Sequence, residues 1–170
     1  RGDDDLMLKS LVSILSRMPL SVHYFFADWL IYPLMYYVVR YRRKMVRKNL
    51  RLSFPEKSED ERQAIAKAFY HQFCDTIVEI IYGSTRSNAE IKEHEVFVNA
   101  EEVNRAAKEH GGCIVMMAHM GNWEWKASCQ QWFDPEVTEM NIYRRLKSKS
   151  MDELMLAIRG KREGEFVEKQ

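Results

Sequence analysis

The chain has 170 residues, 46% hydrophobic and 30% charged, which suffices for one domain with a real core. Its formal net charge of +1 sets up no global field for nucleic acid, so a nucleic-acid partner is not expected. Three cysteines, Cys74, Cys113 and Cys129, are odd in number and lie in apolar or helical contexts; they read as reduced, buried thiols of a cytosolic compartment, and no Cys/His spacing suggests zinc.

In chain order, the opening Arg1-Gly2-Asp3-Asp4-Asp5 lacks a starting Met and residues 159–170 form a charged run, which reads as a piece of a longer protein. Residues 6–39 are mostly apolar and aromatic. Residues 20–39 have about the length that crosses a bilayer core, but His23, Asp28 and Pro33 interrupt them. Trp29, Tyr24, Tyr32, Tyr36 and Tyr37 give the aromatic content of a membrane interface. A spanning helix, an interfacial hairpin and a buried soluble helix are all compatible with this. A basic cluster follows at once: Arg40, Arg42, Arg43, Lys44, Arg47, Lys48 and Arg51, with no acid among them. With Tyr41, Met45, Val46, Leu50 and Leu52 it makes a loose apolar stripe under a cationic face, suited to anionic headgroups or to plain solvation. Residues 1–52 are thus expected to be a membrane-anchoring helical segment with a basic flank.

Ser53-Phe54-Pro55-Glu56-Lys57-Ser58 breaks the helix. Ser58 and Glu61 then have the spacing of a capping box. The helix over 59–82 carries Ile65, Phe69, Phe73, Ile77, Ile80 and Ile81 at spacings of three and four, and holds His71, Cys74, Asp75 and Glu79, expected to pack or to be solvated. His71 is a minor substrate-contact candidate. Residues 88–95 are a short helix or loop, 96–98 a short strand, and 100–110 a helix capped by Asn99 and stopped by Gly111-Gly112. The unbroken apolar run Cys113-Ile114-Val115-Met116-Met117-Ala118 predicts a buried strand. A helix from Gly121 to about Trp132, a strand over 137–143 and a helix over 150–161 complete a β-α-β-α-β-α order, an α/β domain with a largely parallel sheet.

His119 then falls at the carboxyl end of a strand, where reactive groups of such sheets gather, and Glu124 falls near the first turn of the next helix. A histidine can take a proton while a carboxylate steadies its tautomer and the imidazolium. With no evident nucleophilic serine or cysteine, the pair favours direct transfer: His119 deprotonates a hydroxyl that attacks an activated carbonyl, and backbone amides over 120–122 help to stabilise the oxyanion. Asn122 is either catalytic or a helix cap. Trp123 and Trp125 line an acyl groove, anchor at a membrane, or are core. Two visible ligands are too few for a metal site.

The run Met116-Met117-Ala118-His119-Met120-Gly121-Asn122-Trp123-Glu124 resembles the His-x4-Asp/Glu block of bacterial lipid A biosynthesis (late, lauroyl/myristoyl) acyltransferases. Tyr36-Tyr37-Val38-Val39-Arg40-Tyr41-Arg42-Arg43-Lys44, Arg47-Lys48-Asn49-Leu50, Ser53-Phe54-Pro55-Glu56 and Phe69-Tyr70-His71-Gln72-Phe73-Cys74-Asp75 resemble further blocks of that family, in order. The resemblance covers residues 6–159. It implies an α/β, glycerol-3-phosphate-acyltransferase-like three-layer domain preceded by a membrane-anchoring helix, with residues 53–170 the N-terminal, incomplete part of that domain. It implies a membrane-bound enzyme on the cytoplasmic face of the bacterial inner membrane, moving a fatty acyl chain from acyl carrier protein to a hydroxyl of a lipid A precursor without a cofactor. His119 is then the base and Glu124 its partner. Arg144, with Arg159 as a second candidate, binds the acceptor's phosphate or the donor's pantetheine arm, and Asn122 also faces substrate. The rivals are a glycerophospholipid acyltransferase with the same dyad and a non-catalytic membrane-binding fragment.

Overall fold

Tyrosines at helical spacing, more than aliphatic side chains, hold residues 18–82 together. The computed structural model describes residues 2–161 and 164–169, and the chain divides into two compact units, residues 18–82 and residues 1–17 with 83–170.

In the 18–82 unit, α2 (Leu20–Phe26) runs into two π-helical stretches, Ala27–Ile31 and Leu34–Val38; α1 belongs to the other unit. The π turns flank Pro33, which has no N–H to give a helical ladder. One side of this segment is buried: Ala27, Tyr32 and Tyr36 form the core with Tyr70, Cys74 and Val78 of α4 (Glu59–Gly83). Tyr32 stacks on Tyr36 with ring centroids 5.5 Å apart, and Tyr36 meets Tyr70 edge-on at 5.2 Å. These are the favoured geometries of aromatic pairs. The hydroxyls find acceptors. Tyr70 donates to the Tyr41 carbonyl, and Tyr24 donates to Glu79 Oε1 at 2.7 Å.

The fully buried row of α4 is Ala66, Tyr70, Cys74, Val78 and Tyr82, each four residues from the last. It lies one position on from the Ile65, Phe69, Phe73 stripe, of which Phe69 is 45% exposed. The core selects the rings that reach the tyrosines of the 20–38 segment rather than the most apolar side chains. His71 stacks on Tyr32 at 3.6 Å, its Nδ1 lies 2.9 Å from Asp28 Oδ1, and Cys74 is buried. The expected packing roles of both are thereby accounted for. The capping box forms as expected: Ser58 N donates to Glu61 Oε2 at 2.8 Å and Glu61 N to Ser58 Oγ at 3.2 Å. In chain order the 20–38 segment is followed by α3 (Arg43–Ser53), reached through Arg40 and Arg42, both at left-handed φ of 54° and 51°.

The other unit contains α1 (Gly2–Leu15), α5 (Asn88–Lys92), α6 (Ala100–His110), a 3-10 helix over Trp125–Trp132, β1 (Met140–Tyr143), α7 (Lys149–Arg159) and β2 (Glu165–Glu168). Gly111 ends α6 in the left-handed conformation, φ 72°, as the sequence predicts. Asn99 precedes the helix but makes no side-chain cap. β1 and β2 pair in parallel, Met140 opposite Glu165 and Tyr143 opposite Glu168, with α7 as the crossover.

The described chain is therefore mostly helical with a small two-stranded parallel sheet. Two predicted strands are absent. Residues 96–98 form no strand, with Val96 and Val98 exposed, and residues 113–118 pair with nothing, their apolar side chains open to solvent. An apolar run records what a segment would bury and says nothing of what lies beside it to cover it. Among the described residues no helix is long and apolar enough to cross a membrane.

The thiols give a direct check of this packing. Burial pushes Cys74 up to about 11 and Cys129 up to about 12, whereas Cys113 is exposed. At pH 8 the native protein is expected to give one fast-reacting thiol with a disulfide reagent, lost in Cys113→Ser, and three after unfolding. Three fast thiols in the native protein would contradict the packing.

Candidate active site

The turn that carries the predicted site is built from Gly121, at left-handed φ 60°, followed by Asn122, whose Oδ1 accepts from the Glu124 backbone N–H at 3.2 Å. Asn122 thus closes the turn ahead of the 3-10 helix, whose own N-cap position is Glu124 and has no side-chain cap. Glu124 stands at the N-terminal boundary of the 3-10 helix Trp125–Trp132. Trp125 is buried, which supports the core reading of that residue, and Trp123 is half-buried.

His119 and Glu124 are not hydrogen-bonded to each other. The His119 ring is exposed and lies 5.2 Å from Trp123, the planes inclined at 53°. The Glu124 carboxylate is taken by Arg159 of α7 in a two-pronged ion pair. Arg159 Nε donates to Oε2 at 2.8 Å and Nη2 to Oε1 at 2.6 Å. Both side chains are largely buried, 11% exposed for Glu124 and 19% for Arg159. The hydrogen bond to Glu124 raises the Arg159 pKa further above its ordinary value, so the guanidinium stays charged. The structure therefore brings two of the predicted residues together, but they are Glu124 and Arg159.

Arg144 is exposed just past the C-terminal end of β1, in a shallow recess shared with Arg145, Glu168 and Lys169. Arg145 is the arginine that pairs there, with Glu168 at 2.8 Å. His71 lies in the 18–82 unit, engaged by Tyr32 and Asp28.

His119 and Trp123 line a cleft of about 690 Å3 that runs between the extended segment 111–119, α6 and β1. Its apolar wall includes Val115, Met117, Phe133, Val137, Met140 and Ile142. The volume falls within the range of roughly 300–1,000 Å3 usual for small-ligand sites. An apolar groove with a histidine on its lining can hold a hydrocarbon chain and present a proton acceptor to a polar group at its end.

The same cleft holds a polar cluster that sequence reading missed. Lys126 donates to Glu139 and to Asn141 Oδ1, the latter at 2.6 Å. Glu139 N donates to Gln130 Oε1 at 2.5 Å, and Gln130 Nε2 to the Val137 carbonyl at 2.8 Å. Glu139 and Asn141 have the two-residue spacing that puts side chains on one face of a strand, the only available signal. Among the described residues no group of histidine, cysteine and carboxylate side chains is placed to hold a metal.

Compared with known proteins, the chain matches the family model described as bacterial lipid A biosynthesis acyltransferase over residues 7–170. No curated protein and no solved structure matches it. The family match spans nearly the whole chain, and the chain belongs to that family of acyltransferases.

Proposed function

We propose that this lipid A acyltransferase moves a fatty acyl chain directly from acyl carrier protein to a hydroxyl of a lipid A precursor, at the cytoplasmic face of the bacterial inner membrane. The observation that carries the reading is the apolar cleft with His119 on its lining. The acyl chain lies against Val115, Met117, Met140 and Ile142, and its thioester carbonyl ends near His119. His119 takes the proton as the acceptor hydroxyl attacks that carbonyl; the carbon–oxygen bond forms, the carbon–sulfur bond breaks, and the carrier thiolate leaves and recovers the proton. No covalent acyl-enzyme is formed. The Met120 N–H is bonded to the Ala118 carbonyl at 2.9 Å, so the backbone N–H groups of Gly121 and Asn122 are the donors for the developing oxyanion.

In this reading Glu124 supports the site as a fixed negative charge near the base. Arg159 holds that charge in place through its fork, and Asn122 holds the turn. Arg144, exposed past the end of β1, supplies the cation for the acceptor's phosphate or the pantetheine arm. The glycerol-3-phosphate-acyltransferase-like sheet belongs to the same proposal: β1–α7–β2 is one parallel unit of it.

The test offers one acyl carrier protein thioester to two acceptors, a lipid A precursor and glycerol 3-phosphate, and identifies the products by mass spectrometry. The expected ester forms on the lipid A precursor only. Equal acylation of glycerol 3-phosphate would replace the acceptor assignment. Filling the cleft with Ile142→Trp is expected to shift the preferred donor to a shorter chain; an unchanged chain-length profile would remove the acyl chain from this cleft.

A further inference from the structure

The apolar cleft has a cation in its wall. Lys126 stands at the start of the 3-10 helix Trp125–Trp132, three residues beyond Trp123, and both line the cleft with His119. A lysine ammonium carries three N–H donors and accepts nothing. Glu139 Oε1 takes one of them and Asn141 Oδ1 another, the latter at 2.6 Å. The tetrahedral nitrogen directs the third away from both partners, and it has no acceptor among the described residues. The side chain is 25% exposed, so this donor is open to the cleft that Lys126 lines.

The ammonium is held in place by what surrounds it. The Glu139 side chain is only 6% exposed, and its backbone N–H is fixed by Gln130 Oε1 at 2.5 Å. Gly164 covers the cluster so closely that a Cβ there would stand 3.0 Å from Asn141 Nδ2 and 3.2 Å from Glu139 Oε2. A lysine pinned in this way has already given up its rotamer freedom, so a further hydrogen bond to a ligand costs little more entropy. Glu139 also decides which ligand the third N–H can take. Its carboxylate offsets the ammonium charge at contact distance, so a phosphate would meet an anion beside the cation. A neutral carbonyl oxygen meets no such opposition. A bare hydrocarbon would leave the N–H unpaired as the cleft loses its water.

We propose that Lys126 donates its third N–H to the thioester carbonyl oxygen of the acyl donor. The proposal rests on the reading of this cleft as the acyl site, and it adds a side chain to the backbone donors at Gly121 and Asn122. The bond forms when the donor binds and strengthens as the carbonyl oxygen becomes an oxyanion. The proton stays on the lysine throughout, and His119 remains the group that takes the proton of the acceptor hydroxyl. Glu139 and Asn141 act through Lys126 as positioning residues.

The test titrates the full chain with acyl carrier protein bearing either of two inert donor analogues of equal chain length. One is a ketone, with a methylene in place of the thioester sulfur; the other is a thioether, with a methylene in place of the carbonyl. The ketone is expected to bind tighter than the thioether. Lys126→Met should cut that advantage by roughly tenfold, the worth of one hydrogen bond from a charged donor, while the thioether keeps its wild-type affinity. An undiminished advantage in Lys126→Met would overturn the proposal. So would equal weakening of both analogues, which would assign Lys126 to the pantetheine arm or to the fold alone. Where Lys126→Met strands Glu139 and fails to fold, Lys126→Met with Glu139→Gln carries the same comparison. Ile142→Trp tells the two levels apart: by filling the cleft it should weaken both analogues. If it changes neither, the acyl-site reading itself falls, and this proposal with it.

Discussion

His119→Ala is expected to lower kcat for acyl transfer by about 10²–10⁴-fold, the usual contribution of a positioned general base. His119 is solvent-exposed, so its removal strands no buried partner and the fold should survive. The Trp123 ring at 5.2 Å loses one neighbour, and the cleft's apolar wall is untouched. KM for the acyl donor should therefore change little while kcat falls. That split marks a group that acts in the transition state and not in donor binding. A variant that keeps wild-type kcat would remove His119 from the base role. A variant that raises KM alone would make it a binding residue.

Arg159→Met is expected to cost about 3–5 kcal/mol of unfolding free energy, because it leaves the Glu124 carboxylate buried without its cation. For a chain of this size that lowers Tm by roughly 2–4 °C per kcal/mol. The partner change decides between pairing and mere bulk. Glu124→Gln with Arg159→Met removes the stranded charge and should recover a large part of the loss, since a buried ion pair is worth far less against a neutral pair than against a broken one. Additive losses in the double variant would show that the two residues act separately. Activity is expected to follow in the same order, because the fork fixes the carboxylate beside the turn that follows His119.

Local features were legible in the sequence and long-range ones were not. The Ser58–Glu61 capping box and the Gly111 stop were readable because each is decided within a few residues, whereas the helix expected from Gly121 begins only at Trp125, as a 3-10 helix. β1 and α7 were found, although the strand is shorter than expected, since its ends depend on β2, which gave no apolar signal. The buried row of α4 was misplaced by one position because Tyr36 and Tyr32 choose their neighbours from a different part of the chain. The same holds at the site. Glu124 and His119 are five residues apart, and their spacing, the expected strand end and the family resemblance paired them. Arg159, 35 residues on from Glu124, holds the carboxylate, because α7 lays a planar fork against it. The motif around Gly121, Asn122, Trp123 and Glu124 pointed to the acyltransferase family without specifying which side chains hold one another.

The most direct measurement is the intact mass of the protein, quenched after mixing with acyl carrier protein thioester alone and again after addition of the lipid A precursor. Cys113 is exposed and lines the same cleft as His119, so a covalent route has a nucleophile at hand. Direct transfer predicts an unmodified protein in both samples and ester only in the second, with ester formation suppressed in His119→Ala and unaffected in Cys113→Ser. An acyl adduct on the protein that forms first and then passes to the acceptor would contradict it.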